Sequence, residues 1–178
     1  GLHGRIFIVS YVTYALYYLT RLNFSAALPS IASDLGYSKL TLGLVGGAFS
    51  VCYALGQFVN GQVVEFSGSR RLVAAGLIST AIINLLFGHV EIPILMVVLW
   101  ALNGYAQSTG WPSMVRVVTN WFGGGARGTV GGVFGSFFLV GSIVAWAFSG
   151  YVAQNFGWRM AFQIPAFITV LLVPLFYL

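Results

Sequence analysis

The 178-residue chain is 58% apolar and only 6% charged, with eight Lys/Arg against three Asp/Glu. A soluble domain carries about 25% charged residues, so this chain cannot cover a water-facing surface; with a mean hydropathy of +0.91 it reads as an integral membrane protein rather than a cytosolic enzyme. The net charge of +5 is scattered, with no run longer than Arg70–Arg71, so it reads as membrane topology and not as a nucleic-acid patch.

A helix crosses a bilayer in about 20 mostly apolar residues, and charges and turn residues divide the chain into six such segments. The predicted fold is therefore an all-α, six-transmembrane-helix bundle forming a single domain over residues 1–178. The first segment, residues 5–30, holds Arg21 and ends before Asp34. The second, 40–64, carries Ser50, Tyr53, Gln57 and Asn60 on one face and stops at Glu65. The third, 72–88, has Asn84 as its one internal amide and is expected to face lipid, as is the sixth, 160–177, which holds Gln163. The fourth, 94–121, places Trp100, Asn103, Gln107, Gly110, Trp111 and Met114 on one side, and Pro112 should kink it. Gly123, Gly124 and Gly125, then Arg127, break the chain before the fifth, 128–153, whose Gly128, Gly131, Gly132 and Gly135 form small-xxx-small pairs suited to close helix packing. Arg5, Arg70, Arg71 and Arg127 fall on one side, Lys39 and Arg159 on the other, which places both termini in the cytoplasm of a plasma or inner membrane.

Arg21 is the most informative residue, because a charge inside a span costs roughly 2.5–3.5 kcal/mol on insertion scales. At 100° per residue, Tyr11, Tyr14, Tyr18, Arg21 and Ser25 form one polar, aromatic stripe. A guanidinium there can hold an anion by paired hydrogen bonds, with tyrosine hydroxyls adding donors. The alternatives are snorkelling to the headgroups or a structural ion pair, but no acidic residue lies within any of the predicted spans. The amides of the second and fourth segments admit two readings, ligand contact or helix–helix hydrogen bonding. Arg116 lies off the amide face, where a helix C-terminus or a pairing with Glu65 accounts for it. The lone Cys52, and His3 and His89 without partners at ligand spacing, give no metal site and no expected cofactor.

The stretch from Gly61 through Glu65 and Gly68 to Arg70 and Arg71 resembles the signature loop of the major facilitator superfamily, with Glu65 in place of the usual Asp. Gly157-Trp158-Arg159 is similar to that superfamily too. Tyr17-Tyr18-Leu19-Thr20-Arg21-Leu22-Asn23-Phe24, and the run from Gly104 through Gln107, Gly110, Trp111 and Pro112 to Arg116, resemble its organophosphate:phosphate antiporter branch. The resemblance covers the whole chain, but as an amino-terminal six-helix half. It implies a secondary transporter of phosphate or a small organic anion, with a sugar-phosphate sensor on the same fold as the alternative. It also implies that Arg21 binds the phosphate, that Tyr14, Tyr18 and Tyr53 line the cavity, and that the signature loop with Arg116 and Arg127 gates it. Gln57 stands where the glycerol-phosphate carriers have a lysine, and Phe138 aligns with a histidine of their fifth helix. Family members pair two six-helix halves. The chain is thus expected either to be a fragment of a twelve-helix protein or to pair with a second copy about a two-fold axis, the glycine-rich second and fifth helices forming the contact.

Overall fold

In the computed structural model, residues 2–121 and 124–174 are described; all regular structure among them is helical. The helices are α1 (Leu2–Leu19), α2 (Asn23–Leu35), α3 (Lys39–Ser67), α4 (Ser69–Phe87), α5 (Pro93–Gln107), α6 (Gly110–Trp121), α7 (Gly124–Phe156) and α8 (Met160–Leu172). The first and fourth predicted segments are each two helices, broken at residues 20–22 and 108–109. The second break follows from Pro112, which has no N–H to offer the Ser108 carbonyl one turn earlier. The first break contains neither proline nor glycine, and its cause is tertiary. By length and composition, α3 and α4 are each sufficient to cross a membrane.

The turns are short and chemically specified. Ser38 caps α3, its Oγ accepting the Thr41 N–H at 3.1 Å. Gly68 ends α3 at φ 76° and leads directly into α4, a backbone conformation that any side chain would strain. Pro93 occupies the first turn of α5, where a missing N–H costs nothing.

Two apolar clusters form the interior. One gathers Phe24, Ile31, Phe49, Phe87, Trp100 and Phe162, among others, with ring centroids 4.6 Å apart for Phe87–Phe162 and 4.9 Å for Phe87–Trp100. The other gathers Leu16, Tyr17, Val73, Leu77 and Met114. Between them in chain register lie Thr20 and Asn23, Thr80 and Asn84, and Asn103 and Gln107, all buried. A polar layer therefore separates two greasy ones. α3 packs most closely on α5, because Gly104 lets the Phe49 carbonyl sit where a Cβ would be and Gly56 does the same for the Ser108 hydroxyl. By contrast, Gly43 and Gly47 of α3 and Gly128, Gly131, Gly132 and Gly135 of α7 meet open space, so these four glycines of α7 make no close internal contact.

The expectation for α4 needs correction. Ile78, Ile82 and Leu86 are exposed, but the opposite face is buried against α5, α6 and α8, with Asn84 at its centre. A uniformly apolar helix does not reveal which face is inward, and here one asparagine sets it. The sixth segment behaves similarly: α8 buries Ala161, Phe162 and Ala166 and exposes Phe167, Val170 and Leu171. Exposed Leu40, Leu44, Val51, Leu55 and Phe58 on α3, and Leu139, Ile143 and Trp146 on α7, add far more apolar surface than scattered surface hydrophobes would.

Among the described residues, three ion pairs tie the ends of the bundle. Arg159 pairs with Asp34 at 2.9 Å and also with Glu91, linking the ends of α2, α5 and α8, while its guanidinium lies 4.4 Å from the Trp158 ring. At the other end, Arg116 of α6 pairs with Glu65 of α3 at 2.7 Å, as its position suggested.

Two outcomes test this packing. Gly104→Ala should lower the melting temperature of the detergent-solubilised protein by the equivalent of about 1–3 kcal/mol, whereas Gly47→Ala, in open space, should not destabilise it. The Trp158 indole N–H, and then Arg159, hold the exposed Asp34 carboxyl below the usual aspartate range. A depressed carboxyl stabilises the fold above the unfolded aspartate value of about 3.9 and stops doing so as pH falls through its folded value. Melting curves below about pH 4 should therefore be shallower against pH in Asp34→Asn than in the native protein.

Candidate functional site

Tyr14, Tyr17, Tyr18, Arg21, Tyr53, Gln107 and Gly110 line a narrow cavity of about 10 Å³ where α1, α3 and the α5–α6 break meet. The sequence places the first four on successive turns of α1 and the break that follows it. Tyr14 packs against Tyr17, Tyr18 and Trp111, with centroids 6.2, 5.7 and 6.2 Å away. The Arg21 guanidinium lies 4.3 Å from the Tyr53 ring centroid and 5.3 Å from that of Phe49. Tyr53 and Phe49 themselves stack at 5.9 Å with 9° between planes, so the cation rests over a two-ring aromatic platform. Such contacts contribute about 0.5–2 kcal/mol, too little to replace the hydration of a charge.

No carboxylate does so either. The chain has three acidic residues, and all three are paired: Glu65 with Arg116, and Asp34 and Glu91 with Arg159. Arg21 is half-buried, carries its charge into an aromatic cavity, and has no acidic partner in this sequence. A guanidinium without a carboxylate partner can hold an anion through its acceptor oxygens.

Behind the cavity, the backbone that carries Arg21 is held by side chains. The Phe24 N–H donates to Asn23 Oδ1 at 2.9 Å, which releases the Thr20 carbonyl from the next turn. That carbonyl accepts from Asn103 Nδ2 at 3.1 Å and from Asn84 Nδ2 at 3.3 Å. Gln107 Nε2 donates to the hydroxyls of Thr20 and Thr80, both at 3.0 Å, and the Thr80 hydroxyl donates to Asn103 Oδ1. Asn23 Nδ2 closes the set on Asn84 Oδ1 at 2.7 Å and the Ala161 carbonyl at 3.1 Å. Each lost partner would leave a buried polar group unsatisfied, at a cost of about 1–3 kcal/mol.

The predicted site residues separate accordingly. Tyr14, Tyr18, Arg21, Tyr53 and Gln107 come together in one cavity, and Trp111, 52% exposed, covers Tyr14 at its open edge. Asn103 does not line it: it is wholly buried and both its amide atoms are engaged in the network, which makes it a support for Thr20. Gln57 is half-buried on α3, one turn beyond Tyr53 and outside the lining residues. The side chains of Phe138 and Arg127 lie outside the described residues. Gly61, Glu65 and Arg116 line a separate opening of about 460 Å³ with Pro112 and Trp111, while Gly68 forms the turn and Arg70 and Arg71 are exposed beside it. Tyr17, Thr20, Thr80 and Phe49 were not singled out from the sequence. Tyr17 is a back wall, its hydroxyl 2.7 Å from the Thr109 hydroxyl and within reach of the Val73 carbonyl. Proximity in sequence to Arg21 was the available signal for Tyr17 and Thr20; none pointed to Phe49.

Residues 10–178 match the family model described as Major Facilitator Superfamily. The chain is 34% identical over 168 residues to a probable hexose phosphate transport protein of Chlamydia trachomatis, covering 94% of this chain and 37% of that protein. It is 33% identical over 175 residues to the glycerol-3-phosphate transporter of Bacillus subtilis, covering 94% and 39%. With the membrane sensor protein UhpC of Escherichia coli the identity is 33% over 160 residues, covering 90% and 36%. The chain thus spans 36% to 39% of the length of these relatives. The helical fold, the run of motifs around Arg21 and the signature loop agree with that match, and the chain belongs to the Major Facilitator Superfamily.

Proposed function

We propose that this chain forms the anion-binding half of a secondary transporter that moves phosphate or a small organophosphate by alternating access. The observation that carries this reading is Arg21, an arginine over aromatic rings in a cavity, with every acidic residue of the chain paired elsewhere. Arg21 holds the anion by charge-assisted hydrogen bonds, and Tyr14, Tyr18, Tyr53, Gln107 and Trp111 shape the pocket around it. By the family resemblance, Gln57 and Phe138 belong to the same substrate-binding set. The likeness to proteins named as transporters of hexose phosphate and glycerol 3-phosphate favours phosphate monoesters as the substrate class.

The six spans of this reading lie within α1 with α2, α3, α4, α5 with α6, α7, and α8. Both termini lie in the cytoplasm, on the side of the Glu65–Arg116 pair. The signature loop from Gly61 to Arg71, with Arg116 and Arg127, forms the gate there; Trp111 lies between that opening and the Arg21 cavity. A second six-helix unit supplies the opposite wall of the cavity, either a second copy of this chain or further sequence of a longer protein. The length of the relatives and the open edge at Trp111 support this.

The test is exchange of labelled phosphate by the purified full chain in liposomes preloaded with phosphate or sugar phosphates. Saturable exchange is expected, falling roughly 10–100-fold in Arg21→Ala and less in Arg21→Lys, with melting temperatures little changed. Full exchange in folded Arg21→Ala overturns the site. Phosphate binding without flux would favour a sensor, in keeping with the likeness to UhpC.

A further inference from the structure

We propose that Asn84, Asn103 and Thr20 are positioning residues for Arg21, which act by fixing the break between α1 and α2 from behind and touch no ligand themselves. The inference rests on the reading of Arg21 as the anion-binding group. The break spans residues 20–22, which include neither glycine nor proline, so no helix-breaking residue imposes it. What imposes it is an exchange of hydrogen bonds. Asn23 Oδ1 takes the Phe24 N–H, and the Thr20 carbonyl turns instead to Asn84 of α4 and Asn103 of α5. The Thr20 hydroxyl is also held, by Gln107 of α5. The peptide immediately preceding Arg21 is thus fixed through two of its neighbours' polar groups to two other helices. Thr20, Asn84 and Asn103 are all fully buried, so water cannot replace any of these partners.

The consequence is directional. An arginine side chain has four rotatable bonds, and its guanidinium is aimed only as well as its Cα is held. In a continuous α-helix the Thr20 carbonyl would bond the Phe24 N–H and Arg21 would follow regular helical register. The break changes that register at Arg21, whose guanidinium lies over Tyr53 and Phe49 of α3. Among the described residues, no hydrogen bond of Thr20, Asn84 or Asn103 ends on α3, so their effect on the site passes through the Arg21 backbone and Gln107.

The test measures Arg21 itself, by the rate at which phenylglyoxal modifies it in the purified full chain, read by peptide mass spectrometry while inorganic phosphate is titrated as protectant. Asn103→Leu and Thr20→Val should each raise the phosphate concentration for half-protection, by about tenfold for Asn103→Leu. Modification of the exposed Arg70 and Arg71 should be unchanged, and Thr20→Ser, which keeps the hydroxyl, should behave as the native protein. A merely structural role would lower the melting temperature and leave the phosphate titration in place; folded variants that protect like the native chain overturn the proposal. Should Asn103→Leu fail to fold, the contrast between Thr20→Val and Thr20→Ser decides alone. If phosphate fails to protect native Arg21, the anion-site reading falls, and the unprotected modification rate still decides positioning: a change in Thr20→Val but not in Thr20→Ser supports it, and equal rates in both overturn it.

Discussion

A guanidinium placed among aromatic rings, in a chain whose few carboxylates are all held by other arginines, is the constraint on which the rest of the structure turns. Glu65, Asp34 and Glu91 sit at the ends of the bundle and pair there with Arg116 and Arg159. This leaves the interior with a cation and no anion of its own. A charge inside a span is costly on every insertion scale, and the aromatic platform of Tyr53 and Phe49 offsets part of that cost. On the proposed reading, an anion from outside offsets the remainder.

The buried polar layer gives this cation a fixed address. Amides and hydroxyls between helices in a membrane are individually weak, averaging about 0.6 kcal/mol and reaching about 1.7. They matter here because they are mutually satisfied and sit between two apolar clusters where water has no place. Thr20, Asn84, Asn103 and Gln107 share donors and acceptors so completely that removing one leaves several others incomplete. The close approach of α3 and α5 at Gly104 and Gly56 brings the Tyr53 face up to this layer. The platform and the cation are therefore located by different devices that meet only at the site.

Much of this was legible in the residues. The helical class, the kink at Pro112, the grouping of Tyr14 and Tyr18 with Arg21, and Glu65 as one of two accounts of Arg116 follow from spacing and the cost of charge in a membrane. The break at Thr20 was not legible, because Asn84 and Asn103, which take its carbonyl, lie on distant helices, and Asn23, which takes the Phe24 N–H, is not a helix breaker by type. For the same reason α4 looked like a lipid-facing helix: Asn84 is one polar residue in a greasy run, and only its partners show that it faces inward. Asn103 and Gln107 share a helical face, and periodicity places both toward one side. It cannot tell that Asn103 meets a backbone carbonyl while Gln107 also borders the cavity. Phe49, an ordinary apolar residue by sequence, becomes part of the cation's seat only through the crossing of α3 near the break.

The central claim is that Arg21, unlike the paired Arg116 and Arg159, awaits an anion from outside the chain. Guanidinium nitrogen NMR of the purified protein, titrated with inorganic phosphate, addresses it directly. The account predicts that the Arg21 signal moves saturably with phosphate while those of Arg116 and Arg159 stay in place. An Arg21 signal that ignores phosphate, or that already shows a carboxylate partner before any is added, would contradict it.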